Sequence, residues 1–144
     1  MITLTYEEEQ EKLNLRISSF SFKKGYPEDL TGNGGGFVFD CRFLPNPGRF
    51  SEYKFFTGRD KQVIDFFTGK PEMEEFISRV REMVEPAVKN YIERGFGSLQ
   101  VNFGCTGGQH RSVYCAERVG KLLAERFPEV NVEIKHREQS GSDN

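Results

Sequence analysis

The densest cluster of reactive and hydrogen-bonding side chains lies in one short stretch, residues 102–113, which reads NFGCTGGQHRSV. Its central part combines a thiol, an amide, an imidazole, a guanidinium, two hydroxyls and two glycines: Cys105, Thr106, Gly107, Gly108, Gln109, His110, Arg111 and Ser112. An apolar run precedes this stretch and a helical pattern follows it, which predicts a turn from a strand into a helix. Such a turn presents free N–H groups at the positive end of a helix dipole and therefore favours an anion.

Phosphate binding is the first chemistry that fits this loop. Gly107 and Gly108 allow the main chain to curl so that N–H groups point inward. Arg111 can hold a phosphate through two parallel hydrogen bonds, and His110 supplies a further donor. The alternative is a tight turn in which the glycines serve packing and Ser112 caps the helix. The nucleotide motif GxxxxGK[ST] is absent from the sequence, so no Walker-type NTPase is predicted.

Nucleophilic catalysis is the second chemistry. Cys105, Arg111 and Ser112 match the C-x5-R-[ST] pattern of cysteine phosphatases, in which a thiolate attacks phosphorus and the Arg stabilises the transition state. Against this, Gly104 stands where the best-known phosphatases have His, and no local motif supplies a general acid. A Cys at the end of an apolar strand is also commonly a small buried residue.

Composition excludes several other classes of protein. A formal net charge of −2 and a pI of about 5.8 argue against broad, nonspecific binding to nucleic acid. The cysteines are Cys41, Cys105 and Cys115, without a CxxC pair, and the histidines are His110 and His136. This set predicts neither a zinc site nor any other metal site, and no cofactor is expected. The polar N-terminus and the absence of a long apolar run predict a cytoplasmic protein without a membrane span.

The elements that must position the loop follow from hydrophobic periodicity. Strands are predicted at 13–22, 37–43, 98–105 and 130–136, and helices at 61–67, 71–94 and 111–127. Asp60 is expected to cap the first helix, and Pro86 to kink or split the second. The glycine-rich segment 31–36 is expected to be mobile. Strand, turn, helix and strand over 98–136 form a βαβ unit, so its strands should be parallel with a right-handed crossover.

These elements indicate an α/β fold, a single αβα-layered domain with a mainly parallel sheet and a Gly-rich anion-binding loop between strand and helix. The domain is assigned to residues 15–138. Residues 1–14 form an N-terminal arm, in which Thr5 and Glu8 fit a capping box, and residues 139–144 form a flexible tail.

The loop and four further blocks resemble the C-terminal domain of the RapZ family. The matching stretches are SFSFKKG (19–25), FVFDCRFLPNP (37–47), TGRDKQV (57–63), FGCTGGQHRSVYCAERV (103–119) and HRE (136–138). The resemblance implies an αβα domain whose motif loops gather into one pocket. In that family the domain binds glucosamine-6-phosphate, and in some members a small regulatory RNA that it presents to an endoribonuclease. The family's Walker-type N-terminal half is expected to be missing here, which puts ATP or GTP binding in doubt.

The resemblance also implies which residues join loop 105–112 in a ligand pocket. These are Asp40, Arg42, Asn46, Gly58, Asp60, Lys61, His136 and Arg137. Structural alternatives stand beside several of them. Arg42 could pair with Asp40, and Asn46 could be a turn residue. Asp60 could cap a helix, His136 could lie at an ordinary surface strand end, and Tyr114 could be core.

The function expected from these residues is the binding and sensing of a phosphorylated metabolite, an amino-sugar phosphate, by a regulatory adapter without enzymatic activity. The alternatives are a phosphatase with Cys105 as nucleophile and Arg111 as its partner, and an RNA-binding adapter for an endoribonuclease. Basic residues interleave with aromatic ones as RNA binding would require: Lys23, Lys24, Arg42, Arg49, Lys54 and Arg59. The C-terminal EQSGSDN, however, is neutral to acidic. Expected partners are a phosphorylated small molecule, a regulatory protein or RNA, and further copies of the chain.

Overall fold

Four strands and three helices make up the fold. The computed structural model describes residues 12–139. In chain order the elements are β1 (Asn14–Ser21), β2 (Gly36–Asp40), α1 (Lys61–Phe67), α2 (Pro71–Arg94), β3 (Ser98–Cys105), α3 (Arg111–Arg126) and β4 (Asn131–His136). Short 3-10 turns lie at Phe22–Lys24, Pro47–Arg49, Ser51–Tyr53 and Arg137–Gln139. Among residues 12–139, none of the helices has the length and apolar character needed to cross a membrane.

The sheet is parallel throughout, with strand order β2-β3-β1-β4. The predicted α/β class and the parallel sheet are therefore confirmed. β3 and β4 run parallel as predicted, but they are not neighbours, because β1 lies between them. Parallel strands bring their carboxyl ends to one edge of the sheet, where ligands bind in α/β folds. Ser21, Asp40, Cys105 and His136 end the four strands at this edge.

One face of the sheet carries the hydrophobic core. Alternate residues of β1 and β3 pack against buried residues of all three helices, and Phe37 and Phe39 of β2 pack against the same cluster. The strand residues are Leu15, Ile17, Leu99, Val101 and Phe103, and the helix residues include Val63, Phe67, Met73, Ile77, Val80, Val119 and Leu123. The opposite face is polar. There Arg16, Ser18, Gln100 and Asn102 line a cleft of about 300 Å³ beneath the segment 27–31. Two-residue alternation along each strand thus separates an apolar side from a polar side.

Helix α2 is continuous through Pro86, so the predicted split is wrong. Met73 and Val80 before the proline and Val88 after it are all buried on the same face. This continuous apolar contact offsets the cost of the hydrogen bond that the proline removes. Gly95 ends the helix in the left-handed region at φ 73°, as the sequence indicated.

Other boundaries also differ from the predicted ones. β2 ends at Asp40 rather than at residue 43, because the Asp40 carboxylate accepts a hydrogen bond from the N–H of Arg42 and turns the chain. Gln139, assigned to the tail from sequence, is buried in the last 3-10 turn. The proposed capping box at Thr5 and Glu8 lies outside the described residues.

The glycine-rich segment expected to be mobile is fastened at its base by Asp29. One carboxylate oxygen accepts bonds from the N–H and hydroxyl of Thr31 at 2.9 and 2.6 Å and from the Gln100 amide at 2.9 Å. The other oxygen accepts the N–H of Gly35 at 2.7 Å. The carboxylate therefore ties both ends of the segment to the polar face of the sheet.

Replacing Asp29 by Asn should release segment 29–35 without unfolding the domain. Hydrogen bonds from Thr31 and Gly35 lower the pKa of Asp29 to about 2 from 3.8. The ionised carboxylate therefore supports the segment above pH 3.8, and this support is lost as the pH falls towards about 2. Amide hydrogen exchange at Thr31 and Gly35 should accelerate in Asp29→Asn at pH 5. Asp65→Asn is the matched control, and equal exchange in both variants would contradict the assignment.

Candidate functional site

The loop between β3 and α3 lies at the centre of the carboxyl edge. In the sheet register Cys105 is opposite Ser21 and Gly104 is opposite Asp40, so β1 and β2 flank the loop. The Ser21 hydroxyl donates to the Thr106 carbonyl at 2.6 Å. A Cβ on Gly104 would lie 2.5 Å from atoms of the Phe20 and Phe22 rings. A side chain before Cys105 would therefore require both rings to move, which disfavours His at this position.

Unpaired main-chain N–H groups run through residues 106–112. Within the described chain, no hydrogen bond joins these groups to a protein acceptor. Gly108 has φ 74°, a left-handed conformation that curls the loop, and Arg111 begins the helix. Successive free N–H groups at a helix N-terminus form a concave site for an anion.

Arg111, the first residue of α3, is only 5% exposed. Its Nη1 donates to the carbonyls of Arg42 and Leu44 at 2.5 and 3.3 Å. Its buried Nε has no partner among residues 12–139. The guanidinium therefore anchors the segment after β2 through bonds to neutral carbonyls. A buried positive charge favours an anion nearby.

His110 occupies the N-cap position of α3 and joins the loop to residues 46–53. Its Nε2 lies 3.1 Å from the carbonyl oxygen of Tyr53. A carbonyl can only accept, so Nε2 carries a proton and Nδ1 is the nitrogen left for another contact. A Cβ on Gly48 would lie 3.4 Å from Nδ1 and 3.0 Å from Asn46 Oδ1. Asn46 is therefore brought near His110, although its oxygen also accepts the N–H of Gly48 as a turn residue does.

Cys105 and Ser112 are paired inside the loop. The Cys105 Sγ lies 3.1 Å from the Ser112 Oγ, and the two residues are 2% and 0% exposed. Ser112 thus bonds to a thiol and does not cap the helix, since it lies inside α3.

Asp40 and Arg42 form a paired carboxylate and guanidinium beside the loop. Arg42 donates through Nε and Nη2 to the two Asp40 oxygens at 2.9 and 2.7 Å, and its guanidinium lies 3.9 Å from the centre of the Phe22 ring. This pairing is the structural alternative anticipated from the sequence. The Arg42 hydrogen bond lowers the pKa of Asp40, and the charge of Arg111 acts in the same direction. Asp40 is therefore an ionised carboxylate that is still half exposed.

The 57–60 turn braces the loop from outside. Gly58 donates its N–H to the Gln109 carbonyl at 2.8 Å. Asp60 accepts the N–H of Thr57 at 2.7 Å and makes no side-chain cap bond to α1, so the predicted capping role is wrong. Lys61 is not brought to the loop: it pairs with Asp65 at 2.6 Å on the exposed surface of α1.

The end of β4 supports the site from below. His136 is buried, with Nδ1 2.6 Å from the Ser19 hydroxyl and Nε2 2.6 Å from a Glu117 oxygen, so the surface alternative is wrong. Arg137 donates to the carbonyls of Ser21 and Gly25 at 3.3 and 2.9 Å. Both residues hold strands and turns together.

Glu138 is a contact that the site-residue prediction missed. Its carboxylate accepts the N–H of Ser21 at 2.9 Å and pairs with Arg137 at 2.7 Å. A Cβ on Gly108 would lie 2.5 Å from its Cγ, so Glu138 sits directly against the loop. The HRE block contains it, but a charged residue after a strand carries no local signal of burial.

Comparisons with known proteins match nearly the whole chain. The family model for the RapZ C-terminal domain covers residues 13–140. A nucleotide-binding protein of Lactobacillus acidophilus is 38% identical over 140 residues, which are 97% of this chain and 45% of the relative. A nucleotide-binding protein of Koribacter versatilis is 40% identical over 131 residues, 91% of this chain and 40% of the relative. A nucleotide-binding protein of Pseudothermotoga lettingae is 38% identical over 130 residues, which are 90% of this chain and 44% of the relative. The chain spans less than half the length of these curated relatives.

Gly58→Ala should strain the loop and lower the free energy of unfolding by about 1–3 kcal/mol. The added Cβ would overlap the main-chain nitrogen of Tyr114 and lie 2.5 Å from the carbonyl oxygen of His110. Gly107→Ala is the matched control, since no heavy atom lies within 4 Å of its added Cβ. It should change stability by less than about 0.5 kcal/mol in urea denaturation. Equal losses in the two variants would show that the turn does not brace the loop.

Proposed function

The chain belongs to the RapZ C-terminal domain family, and on that premise we propose that it binds a phosphorylated small molecule, an amino-sugar phosphate, at loop 105–112. The observation that carries the proposal is the run of unpaired N–H groups in a loop that also leads into the buried guanidinium of Arg111, whose Nε has no partner among residues 12–139. Binding would be reported to a regulatory protein or RNA partner, as in an adapter. Catalysis is not part of this function.

The phosphate end is supported by charge and by geometry together. Hydrogen bonds from neutral donors to a charged group each stabilise by about 1.5–3 kcal/mol. The loop offers several such donors, and within the described chain the Arg111 guanidinium bonds to two carbonyls, with the Asp40 carboxylate near enough to interact with its charge. The unpaired N–H groups and the unpaired buried Nε are donors that an anion could satisfy.

The sugar end is assigned to the block after β2. Asp40 is ionised and half exposed, so it can accept hydrogen bonds from an ammonium or a hydroxyl group. Asn46 and the Nδ1 of His110 lie close together on the neighbouring segment and can bind further hydroxyls. A cationic amine beside the Asp40 carboxylate and a phosphate near the Arg111 guanidinium would each lie next to a charge of opposite sign.

The relatives are named nucleotide-binding proteins, and a nucleotide phosphate would meet the same N–H groups. The Walker motif is absent from this chain, so its loop is the candidate for either ligand. A nucleoside monophosphate has no cationic amine to set against Asp40. The two ligand classes can therefore be separated by titration.

A titration of labelled protein with glucosamine-6-phosphate, followed by amide shifts, should show saturable changes at residues 106–112. Inorganic phosphate, glucosamine and a nucleoside monophosphate should each produce much weaker changes, because each lacks one of the two charged contacts or the sugar. Thr106→Val should weaken binding about tenfold through loss of one hydroxyl donor. Thr68→Val, the same change at the exposed end of α1, is the control.

Two outcomes would contradict the proposal. Equal shifts with bare phosphate would mean that the loop recognises an anion and not a phosphosugar. Shifts confined to residues outside 105–112 would place the ligand elsewhere. Asp40→Asn, compared with Asp65→Asn, tests the sugar end: it should reduce the preference for glucosamine-6-phosphate over glucose-6-phosphate, which lacks the amine.

The phosphatase alternative makes a different prediction about Cys105. Its Sγ is buried against Ser112, so the protein should not hydrolyse p-nitrophenyl phosphate, and Cys105→Ser should bind phosphosugar as the native chain does. A steady-state assay at pH 5–8 checks both statements. Turnover that is abolished in Cys105→Ser would reverse the assignment and make Cys105 the nucleophile.

A further inference from the structure

The polar face of the sheet contains a cleft that the proposed function does not use. This polar-face cleft has a volume of about 300 Å³ and lies between the sheet and the segment 27–31, away from loop 105–112. The register places Ser18 in the middle of its floor, with Asn102 beside it on β3 and Lys135 beside it on β4. A short side chain between two longer ones leaves a hollow, so the strand pairing itself forms the cleft.

Arg16 extends the floor towards the start of β1 and carries an unsatisfied donor. In the register it lies between Gln100 and Glu133, and its Nη1 is 3.6 Å from a Glu133 oxygen. Its Nε is buried and has no hydrogen-bond partner among residues 12–139. A buried donor without an acceptor is uncommon in folded proteins, and an acceptor bound in the cleft would satisfy it.

Two unpaired charges of opposite sign line the polar-face cleft. Lys135 belongs to β4 on the floor, and Glu28 belongs to the segment that covers it. Both side chains are exposed, and within the described chain neither takes part in an ion pair. The cleft thus combines a cationic side and an anionic side, which is complementary to a small ligand that carries both charges.

We propose that the polar-face cleft binds a free α-amino acid. The ligand carboxylate accepts from the Arg16 Nε and the Lys135 ammonium, and the ligand ammonium donates to Glu28. These are charge-assisted hydrogen bonds, the stronger class. The amino-acid side chain packs against Pro27 and Leu30, the second of which is 87% exposed without a ligand. Small-molecule pockets have volumes of about 300–1,000 Å³, so a cleft at the lower limit suits a ligand of this size.

Asp29 positions the covering segment over the floor. Its carboxylate accepts the Gln100 Nε2 at 2.9 Å and the N–H of Gly35 at 2.7 Å. Glu28 and Leu30 lie on either side of this anchored residue in the sequence, so the same carboxylate holds both at the cleft. Asp29→Asn, which should release the segment, should therefore also weaken amino-acid binding.

A titration of labelled protein with L-leucine, followed by amide shifts, tests the proposal. Saturable changes are expected at residues 16–18, 28–31, 100–102 and 133–135, while residues 106–112 should not shift. Leucinamide lacks the carboxylate and isocaproate lacks the ammonium, so each should bind about tenfold more weakly or less. Because the two sites respond through different residues, a failure here is distinguishable from a failure of phosphosugar binding at the loop.

Variants of the two unpaired charges give the residue-level test. Lys135→Gln and Glu28→Gln should each weaken leucine binding about tenfold, measured by calorimetry. Lys121→Gln and Glu72→Gln, the same changes at exposed positions on α3 and α2, are the matched controls and should bind like the native chain.

Ser18→Leu fills the hollow and should abolish binding. The change also removes the hydrogen bond from Ser18 to Asn102 at 2.5 Å, so circular dichroism must show that the variant is folded, and the two charge variants test the proposal independently of it. The absence of saturable shifts with leucine, glycine and glutamate at millimolar concentration overturns the proposal. Isocaproate or leucinamide binding as tightly as leucine overturns it as well, and so do shifts confined to residues outside the cleft.

Discussion

The contact between the Arg111 guanidinium and the carbonyls of Arg42 and Leu44 is the interaction on which the site depends. It joins the start of α3 to the segment that follows β2, two parts of the chain that are almost 70 residues apart. Because the charge is buried against neutral oxygens, it orders the protein and still leaves a positive potential for a ligand. In the proposed function, the same residue therefore orders the pocket and favours an anionic ligand.

The parallel sheet explains why so many polar groups meet at one edge. All four strands end there, so the loops that follow β1, β2 and β3 contact one another without any long excursion. Glycines at 58, 104 and 108 allow these close approaches, because a side chain at any of them would overlap a neighbour. Tyr114, which could have been ligand or core, lies 4% exposed in the core cluster and packs on Phe67.

Local pattern in the sequence predicted what depends on neighbouring residues. The helices, the strands and the strand-to-helix loop follow from periodicity and turn chemistry, and the resemblance to the RapZ C-terminal domain is confirmed by the family match. Contacts between distant residues were not accessible in this way. His136 is buried in contact with Ser19 and Glu117, and the Asp60 carboxylate accepts the N–H of Thr57 instead of capping α1. The residues adjacent to His136 and Asp60 in the sequence do not indicate either contact. The strand order is equally nonlocal, since β1 enters between β3 and β4.

The short path from Asp40 to Pro47 constrains how the length of this chain can vary. Cys41 bonds to Gly104, and Arg111 bonds to carbonyls one and three residues later, so an inserted residue would move both carbonyls away from one fixed guanidinium. The segment 29–35 crosses the polar face and is held at its base, so its tip can lengthen with little effect on the core. Insertions and deletions should therefore accumulate on the polar side of the sheet, while the spacing at its carboxyl edge stays constant.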